Sequence, residues 1–188
     1  MSTTSQNKAA PLSGASRAKN ESVALLLTLT LPSRFHPVKR GRGGSVVPNE
    51  NYCGASPRDG QQWLKDMWAK LRDSAARKEL HMRGLRVAEP HHDGMPHWHT
   101  LVWVESESAA LQLSQIARVH WLSDCRGGPD MPQNYFRIQR LESGVELRLL
   151  TKCLAKRNAS FDLWAKTWGI RQISCIGGFK ATSQKVQS

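Results

Sequence analysis

Apolar and polar residues alternate along several short stretches of the chain. The alternation is clearest in residues 23–31, where valine or leucine occupies every second position. A period of two residues is typical of a β-strand, because successive side chains of a strand point to opposite sides. Residues 84–89 and 97–104 have strand patterns on either side of the segment "PHHDGMP", and shorter strands are predicted near 135–140 and over 170–176.

A helix is predicted to begin directly after Ser56. Ser56 is a favourable N-cap, Pro57 suits the first helical position, and Asp59 lies three residues after the cap. Aromatic side chains in this helix could form a platform for stacked bases, but their helical spacing favours core packing. The apolar stripe consists of Trp63, Leu64, Met67, Trp68, Leu71 and Ala75.

Three further helices are predicted, over residues 107–122, 143–157 and 161–168, the last ended by Gly169. Residues 39–49, which are basic and rich in glycine, are predicted to be a loop, and so is the segment "RGGPDMP". Strands and helices do not follow the regular order of parallel α/β proteins. The sequence therefore predicts an α+β fold, a single domain with an antiparallel β-sheet flanked by helices.

The length of 188 residues, 39% of them hydrophobic, is enough for one core with loose ends. Residues 1–20 have no apolar period and are predicted to be a disordered N-terminal segment, and residues 181–188 a flexible tail. The domain is then expected over 21–180. Four widely spaced cysteines without a CxxC pair fit a reducing cytoplasm, and no stretch is long enough to span a membrane. We expect a cytoplasmic protein without a membrane partner.

The net charge of +12 suggests an anionic polymer as partner, and nucleic acid is the commonest one. The excess of basic residues lies towards both ends of the chain. Residues 51–139 carry eleven basic and ten acidic side chains, whereas residues 140–188 carry nine basic and three acidic ones. A basic surface that only keeps the protein soluble is the alternative.

His97 and His99 lie two residues apart in a predicted strand, so both imidazoles face the same side. The intervening "PHHDGMP" contains a turn signal, and a hairpin there pairs Glu89 with His97. Two histidines and one carboxylate leave coordination positions open, as a catalytic metal site requires. His91 and His92 lie in the turn and are interpreted as solvent or substrate contacts rather than ligands. Two unrelated surface histidines are the alternative to a metal site.

The segment "RVAEPHHDGMPHWHTLVW" resembles the region around the His-hydrophobic-His motif of the bacteriophage replication gene A proteins, a branch of the HUH endonucleases that start rolling-circle replication. The resemblance extends to "LTLTLPSRFH" before it, to "GASPRDGQQWLKDMWAKL" in the first predicted helix, and to "WAKTWGIRQISCIGG" near the end. These segments follow the order of the family and cover residues 23–180.

The resemblance implies an antiparallel sheet whose central strand holds a divalent ion, Mg²⁺ or Mn²⁺, through His97 and His99, with Glu89 as the third ligand. Zn²⁺ is a further alternative, because it binds the same types of ligand. It implies single-stranded DNA at a replication origin as substrate, with the ion polarising the scissile phosphate and a tyrosine attacking it. A host replication helicase is a candidate partner, and the cytoplasm of a bacterial host is the expected location.

The chain departs from the family at the nucleophile. The family places two tyrosines four residues apart on a helix with lysines beside them, and the matching stretch here is "LLTKCLAK". Leu149 and Cys153 occupy the tyrosine positions, and we predict that neither of them acts as the nucleophile. The chain's two tyrosines, Tyr52 and Tyr135, lie elsewhere. The positively charged residues of this part of the chain are predicted to contact DNA phosphates: Lys152, Lys156, Arg157 and Arg171.

Three functions stay open on the sequence. The first is a replication initiator that nicks DNA by water or by another residue, and the second is a DNA-binding regulator derived from such an initiator. The third is a metal-stabilised, protein-binding remnant. Members of the family commonly continue into a longer C-terminal region, so a shortened or accessory form of such a protein is a further alternative. The retained Glu89, His97 and His99 favour the first two functions.

Overall fold

The computed structural model describes residues 22–123, 136–142, 144–145, 148–149 and 158–178. The predicted disordered segment, the tail and the "RGGPDMP" loop lie outside these residues, and so does most of the predicted helix over 143–157. The domain boundaries at 21 and 180 stay predictions.

The strands and helices follow the predicted order. In the described residues the helices are α1 (Pro57–Ala76), α2 (Glu107–Ser123) and α3 (Ala159–Trp168), none of which combines the length and apolar character that crossing a bilayer requires. The strands are β1 (Val23–Leu29), β2 (Val38–Arg40), β3 (Val46–Pro48), β4 (Arg83–Pro90), β5 (Pro96–Val104), β6 (Phe136–Leu141) and β7 (Ile173–Ile176).

Five of the strands form one sheet in the order β6-β1-β5-β4-β7. Every neighbouring pair in this sheet is antiparallel. The predicted α+β class, an antiparallel sheet with helices in a single domain, is confirmed. Strand β5 occupies the centre of the sheet, with β1 on one side and β4 on the other. Its backbone is hydrogen-bonded along both edges, which holds the side chains of β5 in defined positions.

The main core lies between the sheet and the two long helices. Every second residue of β1 points into this core and is buried, Leu27 and Leu29 completely. Leu64 of α1 and Trp121 of α2 close it from the helical side. Each such side chain stabilises the fold by roughly 1.5–3 kcal/mol when it leaves water. The alternation in residues 23–31 thus arises because one face of the sheet is covered by helices.

Helix α1 begins as its sequence predicts. Ser56 Oγ accepts a hydrogen bond from the Asp59 backbone N–H, and the Asp59 carboxylate accepts one from the Ser56 N–H, with Pro57 at the first helical position. Most of the predicted apolar stripe is buried in the core, which confirms core packing. Trp63 is half-buried and packs edge-on against Trp121, with ring centroids 6.0 Å apart.

A small hairpin replaces part of the predicted loop over residues 39–49. Strands β2 and β3 pair over three residues each. Gly43 and Gly44 at the tip have φ angles of +75° and +83°, a backbone region that glycine enters without strain. The prediction of a loop was wrong because strands of three residues are too short to show a periodic pattern beside the glycines of the tip.

The C-terminal elements also follow the sequence. Asn158 caps α3 by accepting the Phe161 N–H, and Gly169 ends the helix in a left-handed conformation with φ of +63°. Strand β7 begins at Ile173, three residues later than predicted. The preceding Ile170 is instead buried, and its N–H donates to the Ala165 carbonyl at the end of α3.

Candidate metal centre

The hairpin between β4 and β5 has the predicted register. Glu89 lies directly opposite His97, so that both side chains project from the same face of the sheet. The turn is closed by the His91 N–H, which donates to the Met95 carbonyl at 2.7 Å, and by Gly94 with φ of +83°. One residue of slip would move the side chains of the whole strand to the other face. The turn therefore determines that Glu89 and the histidines meet.

Glu89, His97 and His99 bring their donor atoms together within 4.8 Å. The Nε2 atoms of the two histidines are 3.1 Å apart, and His99 Nε2 lies 3.9 Å from Glu89 Oε2. Two nitrogens bound to one ion at about 2.1 Å and roughly at right angles are about 3 Å from each other, which matches the histidine pair. The Glu89 side chain is 6% exposed, and a buried carboxylate is stabilised by a positive charge beside it.

Thr28 of β1 orients the second histidine. Its Oγ1 lies 3.3 Å from His99 Nδ1, and Thr28 pairs with His99 across the two strands. A histidine that coordinates metal through Nε2 carries its proton on Nδ1 and donates it to a neighbouring oxygen. Thr28 is such an oxygen, so the residues present fit a bound divalent ion.

Trp98, between the two histidines, points to the opposite face of the sheet. Its side chain is completely buried, and its Nε1 donates to Gln61 Oε1 of α1 at 2.9 Å. This hydrogen bond satisfies the Trp98 indole N–H and the Gln61 side-chain oxygen inside the core. Strand β5 is thereby anchored to α1 directly behind the histidines, which prevents the pair from shifting along the sheet.

A second group of potential ligands lies beside the first and consists of His36, His91 and Asp93. His36 Nδ1 is 2.7 Å from Asp93 Oδ2, and the Asp93 side chain is 1% exposed. Burial acts to raise the pKa of Asp93, but hydrogen bonds from His36, His91 and the Met95 N–H outweigh it and hold that pKa well below its usual range. The group ties the β4–β5 turn to the segment after β1.

Sequence reasoning missed this second group. The sequence indicates only a turn at Asp93 and Gly94, and it does not connect them with His36, which lies 57 residues from Asp93. The predicted turn histidines differ in exposure. The side chain of His91 is 39% exposed and belongs to the group, whereas His92 is exposed and its ring is tilted against that of His91, with ring centroids 4.2 Å apart. The presence of an acidic residue inside a histidine-rich turn was the available signal.

The nucleophile position Leu149 lies on the histidine face of the sheet. It is in helical conformation, half-buried, and packs against an apolar cluster that includes Leu101 and Trp103, which follow His99 on the same side of β5. An apolar side chain there supplies no attacking atom. Tyr52 is distant in sequence and uses its hydroxyl to donate to the Ala55 carbonyl.

The other predicted residues of this region are only partly covered by the structure. Arg171 is exposed directly before β7. Lys152, Cys153, Lys156 and Arg157 lie outside the described residues, and so does Tyr135. Their predicted roles stay predictions.

The sequence profile of the bacteriophage replication gene A protein family matches residues 12–127, more than half of the chain. This chain belongs to that family. The matched range includes β1, α1 and the whole β4–β5 hairpin, and therefore Thr28, Glu89 and both histidines. No solved structure shows significant similarity to the chain.

Several relatives share most of the chain. The chain is 30% identical to the replication gene A protein of Escherichia phage 186 over 82% of its length, and 29% identical to the replication protein of Haemophilus phage HP1 over 85%. A "probable replication endonuclease from prophage-like region" of Salmonella paratyphi A is 39% identical over 45% of the chain. These alignments span 25%, 23% and 10% of the relatives, so the chain corresponds to a quarter or less of each one.

Proposed function

We propose that this chain is a DNA replication protein of the HUH type that binds single-stranded origin DNA and a divalent metal ion at Glu89, His97 and His99. The observation that carries the proposal is the convergence of these three donor groups on one face of the central strands. Membership of the replication gene A family and the net charge of +12 support DNA as the partner.

The donor set suits Mg²⁺ or Mn²⁺, and Zn²⁺ accepts the same ligand types. A bound ion would act as a Lewis acid that polarises a phosphodiester oxygen. The chain's own contribution is to hold the ligands: Glu89 supplies the carboxylate, and Thr28 keeps His99 in the tautomer that binds through Nε2. Lys152, Lys156, Arg157 and Arg171 are proposed to contact the phosphates of the strand.

We propose that the chain binds the strand without forming a covalent tyrosyl bond to it. Leu149 stands at one nucleophile position and is packed against apolar neighbours, so that this position provides no nucleophile. The relatives named as replication endonucleases support a second candidate, nicking by a metal-activated water molecule. The two candidates share the metal site and differ in whether the strand is cut.

One assay separates these candidates. Purified protein is incubated with circular single-stranded DNA and Mn²⁺, and the products are analysed on a denaturing gel. Intact circles that the protein retards on a native gel support binding alone, whereas linear DNA without bound protein supports attack by water. DNA that stays covalently attached to protein would contradict the proposal that the strand is bound without a covalent bond, and would show that another residue supplies the nucleophile.

Two variants provide the controls for this assay. His97→Ala removes one ligand and should abolish any nicking and any metal-dependent part of binding. His81→Ala removes an exposed histidine outside both ligand groups and should leave them unchanged. If metal raises the unfolding temperature while no DNA binds, the chain is instead a metal-stabilised, protein-binding module. A host replication helicase in the bacterial cytoplasm is the further partner that we propose.

A further inference from the structure

A cavity of about 270 Å³ lies on the helical face of the sheet, away from the histidines. It is bounded by α1 on one side and by β4 and β7 on the other. Two of the strand residues that line it, Arg86 and Ser174, are paired across β4 and β7. Lys65 and Arg72 of α1 complete its charged lining. Three of the residues that line this cavity are therefore basic, and none is acidic.

Arg86 is held firmly at the base of this cavity. Its guanidinium lies 3.8 Å from the centre of the Trp98 ring, and its Nη2 donates to Ser174 Oγ at 2.7 Å. Its Nε atom is buried and has no hydrogen-bond partner among the described residues. A donor that is buried without an acceptor destabilises the folded state, so an acceptor that reaches it would be stabilising.

The lining of the cavity brings several positive charges together around Arg86. Among the described residues, no acidic group lies within salt-bridge distance of Arg86, Lys65 or Arg72. Burial and, to a smaller extent, the nearby charges of Arg171 and Arg72 together lower the pKa of Arg86 to about 10. Arg86 still carries its proton at neutral pH, so the cavity concentrates like charges that an anion would stabilise.

We propose that this cavity is a binding site for a phosphate group. The Arg86 guanidinium offers Nε and Nη donors in the planar fork that binds phosphate oxygens in pairs. The Ser174 hydroxyl adds a donor, and Lys65 and Arg72 add charge at the opening. The phosphate group comes either from free inorganic phosphate or from the backbone of a bound DNA strand, and in the second case the inference rests on the proposed function. Arg171, a proposed DNA contact, lies close enough to influence Arg86.

The first experiment uses free phosphate without metal. Thermal unfolding of the full chain is followed in EDTA while sodium phosphate replaces sodium chloride at constant ionic strength. Phosphate binding raises the unfolding temperature in a saturable way, by mass action on the folded state. EDTA keeps this result independent of the metal centre, so that its failure and the failure of the proposed function are distinguishable.

Two variants of the cavity test its role. The double variant Lys65→Gln, Arg72→Gln removes two exposed charges and should weaken phosphate binding about tenfold or more. Arg86→Lys retains the charge and loses the planar fork, and should weaken binding similarly. Because Arg86 packs on Trp98, Arg86→Lys could fail to fold, and in that case the double variant decides the test. Lys70→Gln is the matched control, since Lys70 is exposed on the same helix but faces His120 of α2.

The second experiment identifies the source of the phosphate group. Binding of a fluorescent mixed-sequence oligonucleotide is measured in EDTA for the same variants. A loss in the double variant beyond twice that of Lys70→Gln, together with competition by inorganic phosphate, supports the DNA backbone. A saturable phosphate effect without such a loss supports free phosphate. If the double variant loses no more affinity than twice the loss of Lys70→Gln, for phosphate as well as for the oligonucleotide, the proposal is overturned.

Discussion

His99 is the residue on which the candidate metal centre depends most directly. It is close to all of the other groups: His97 at 3.1 Å, Glu89 at 3.9 Å and Thr28 at 3.3 Å. The Thr28 hydroxyl is not one of the three proposed ligands, yet when it accepts the Nδ1 proton of His99, Nε2 is the nitrogen that can bind an ion. Such indirect partners typically change metal affinity by about ten- to hundredfold.

We therefore predict that Thr28→Val weakens Mn²⁺ binding about ten- to hundredfold, because valine keeps the shape and removes the oxygen. Calorimetric titration with MnCl₂ measures the dissociation constant. The matched control is Thr100→Val, the same exchange on β5 with the side chain on the opposite face of the sheet. The Thr100 hydroxyl is buried without a hydrogen-bond partner among the described residues, so its removal should leave metal affinity unchanged. Equal affinities for the two variants would contradict the role of Thr28.

The buried Asp93 carboxylate predicts a pH-dependent stability. Because the pKa of Asp93 is lower in the folded state, its contribution is complete above the unfolded value of about 4 and is lost as the pH falls towards the folded value. Asp93→Asn should cost about 1–3 kcal/mol at pH 7, and the difference from the original protein should shrink below about pH 4. Urea unfolding in EDTA at pH 7, 5 and 3 measures it.

Asp66→Asn controls for the loss of one negative charge. Asp66 is an exposed residue of α1 whose carboxylate accepts a hydrogen bond from Gln62. A change of less than about 0.5 kcal/mol is expected for this variant at every pH. The importance of the His36–Asp93 contact is refuted if both variants behave alike.

At the scale of elements, the β4–β5 hairpin needs the close approach of its two strands at Gly84. A Cβ atom at this position would lie 1.9 Å from the Leu101 carbonyl oxygen and 3.0 Å from the Val102 Cα. Both of these atoms belong to the backbone of the central strand, which cannot move aside without breaking the sheet. The absence of a side chain at residue 84 is thus a structural requirement of the hairpin that presents the histidines.

Gly84→Ala is predicted to destabilise the protein by more than about 3 kcal/mol, because the clash separates two paired strands. Chemical denaturation measures the loss, and circular dichroism shows whether the sheet is retained. Gly60→Ala is the comparison: its Cβ would lie 2.6 Å from Leu31 Cδ1, the end of a flexible side chain. This second variant should lose clearly less stability. A smaller loss at Gly84 than at Gly60 would show that the strands are less closely paired than the structure indicates.

The elements themselves were mostly predictable because their determinants are local. The Ser56 cap, the left-handed Gly169 and the period-two pattern of residues 23–31 each specify an element within a few neighbours along the chain. The β2–β3 hairpin was missed because strands of three residues are too short for a period to appear. Leu149 shows what could not be predicted. Its packing against Leu101 and Trp103 depends on how the sheet is assembled, and the sequence around Leu149 does not indicate it.

At the scale of the whole molecule, the excess of positive charge determines how DNA binding should respond to salt. Residues 51–139 are nearly neutral, and the surplus lies in the two terminal parts of the chain. An anionic strand that binds the chain would meet basic side chains there, and these would displace the counterions condensed on its phosphates. This effect depends on the number of phosphates that are contacted and not on their sequence.

We predict that the affinity for single-stranded DNA falls linearly with salt on a double logarithmic plot. For about four to six neutralised phosphates the slope is roughly −3 to −4. Fluorescence anisotropy with a mixed-sequence oligonucleotide between low and physiological potassium chloride measures it, and Arg171→Gln should reduce the slope by about 0.7. The control is Arg77→Gln, an exposed arginine at the far end of α1. An affinity that does not change with salt would exclude DNA as the electrostatic partner.

The sequence by itself determined the fold class, the order of the main elements and the pairing of Glu89 with His97. It could do so because strand periodicity, helix caps and a short turn act between residues that are close along the chain. Only the tertiary structure decided that Thr28 reaches His99 across 71 residues and that His36 pairs with Asp93 across 57. It also placed Arg86 beneath two basic residues of α1. Such contacts arise when distant segments are packed together, and no local pattern records them.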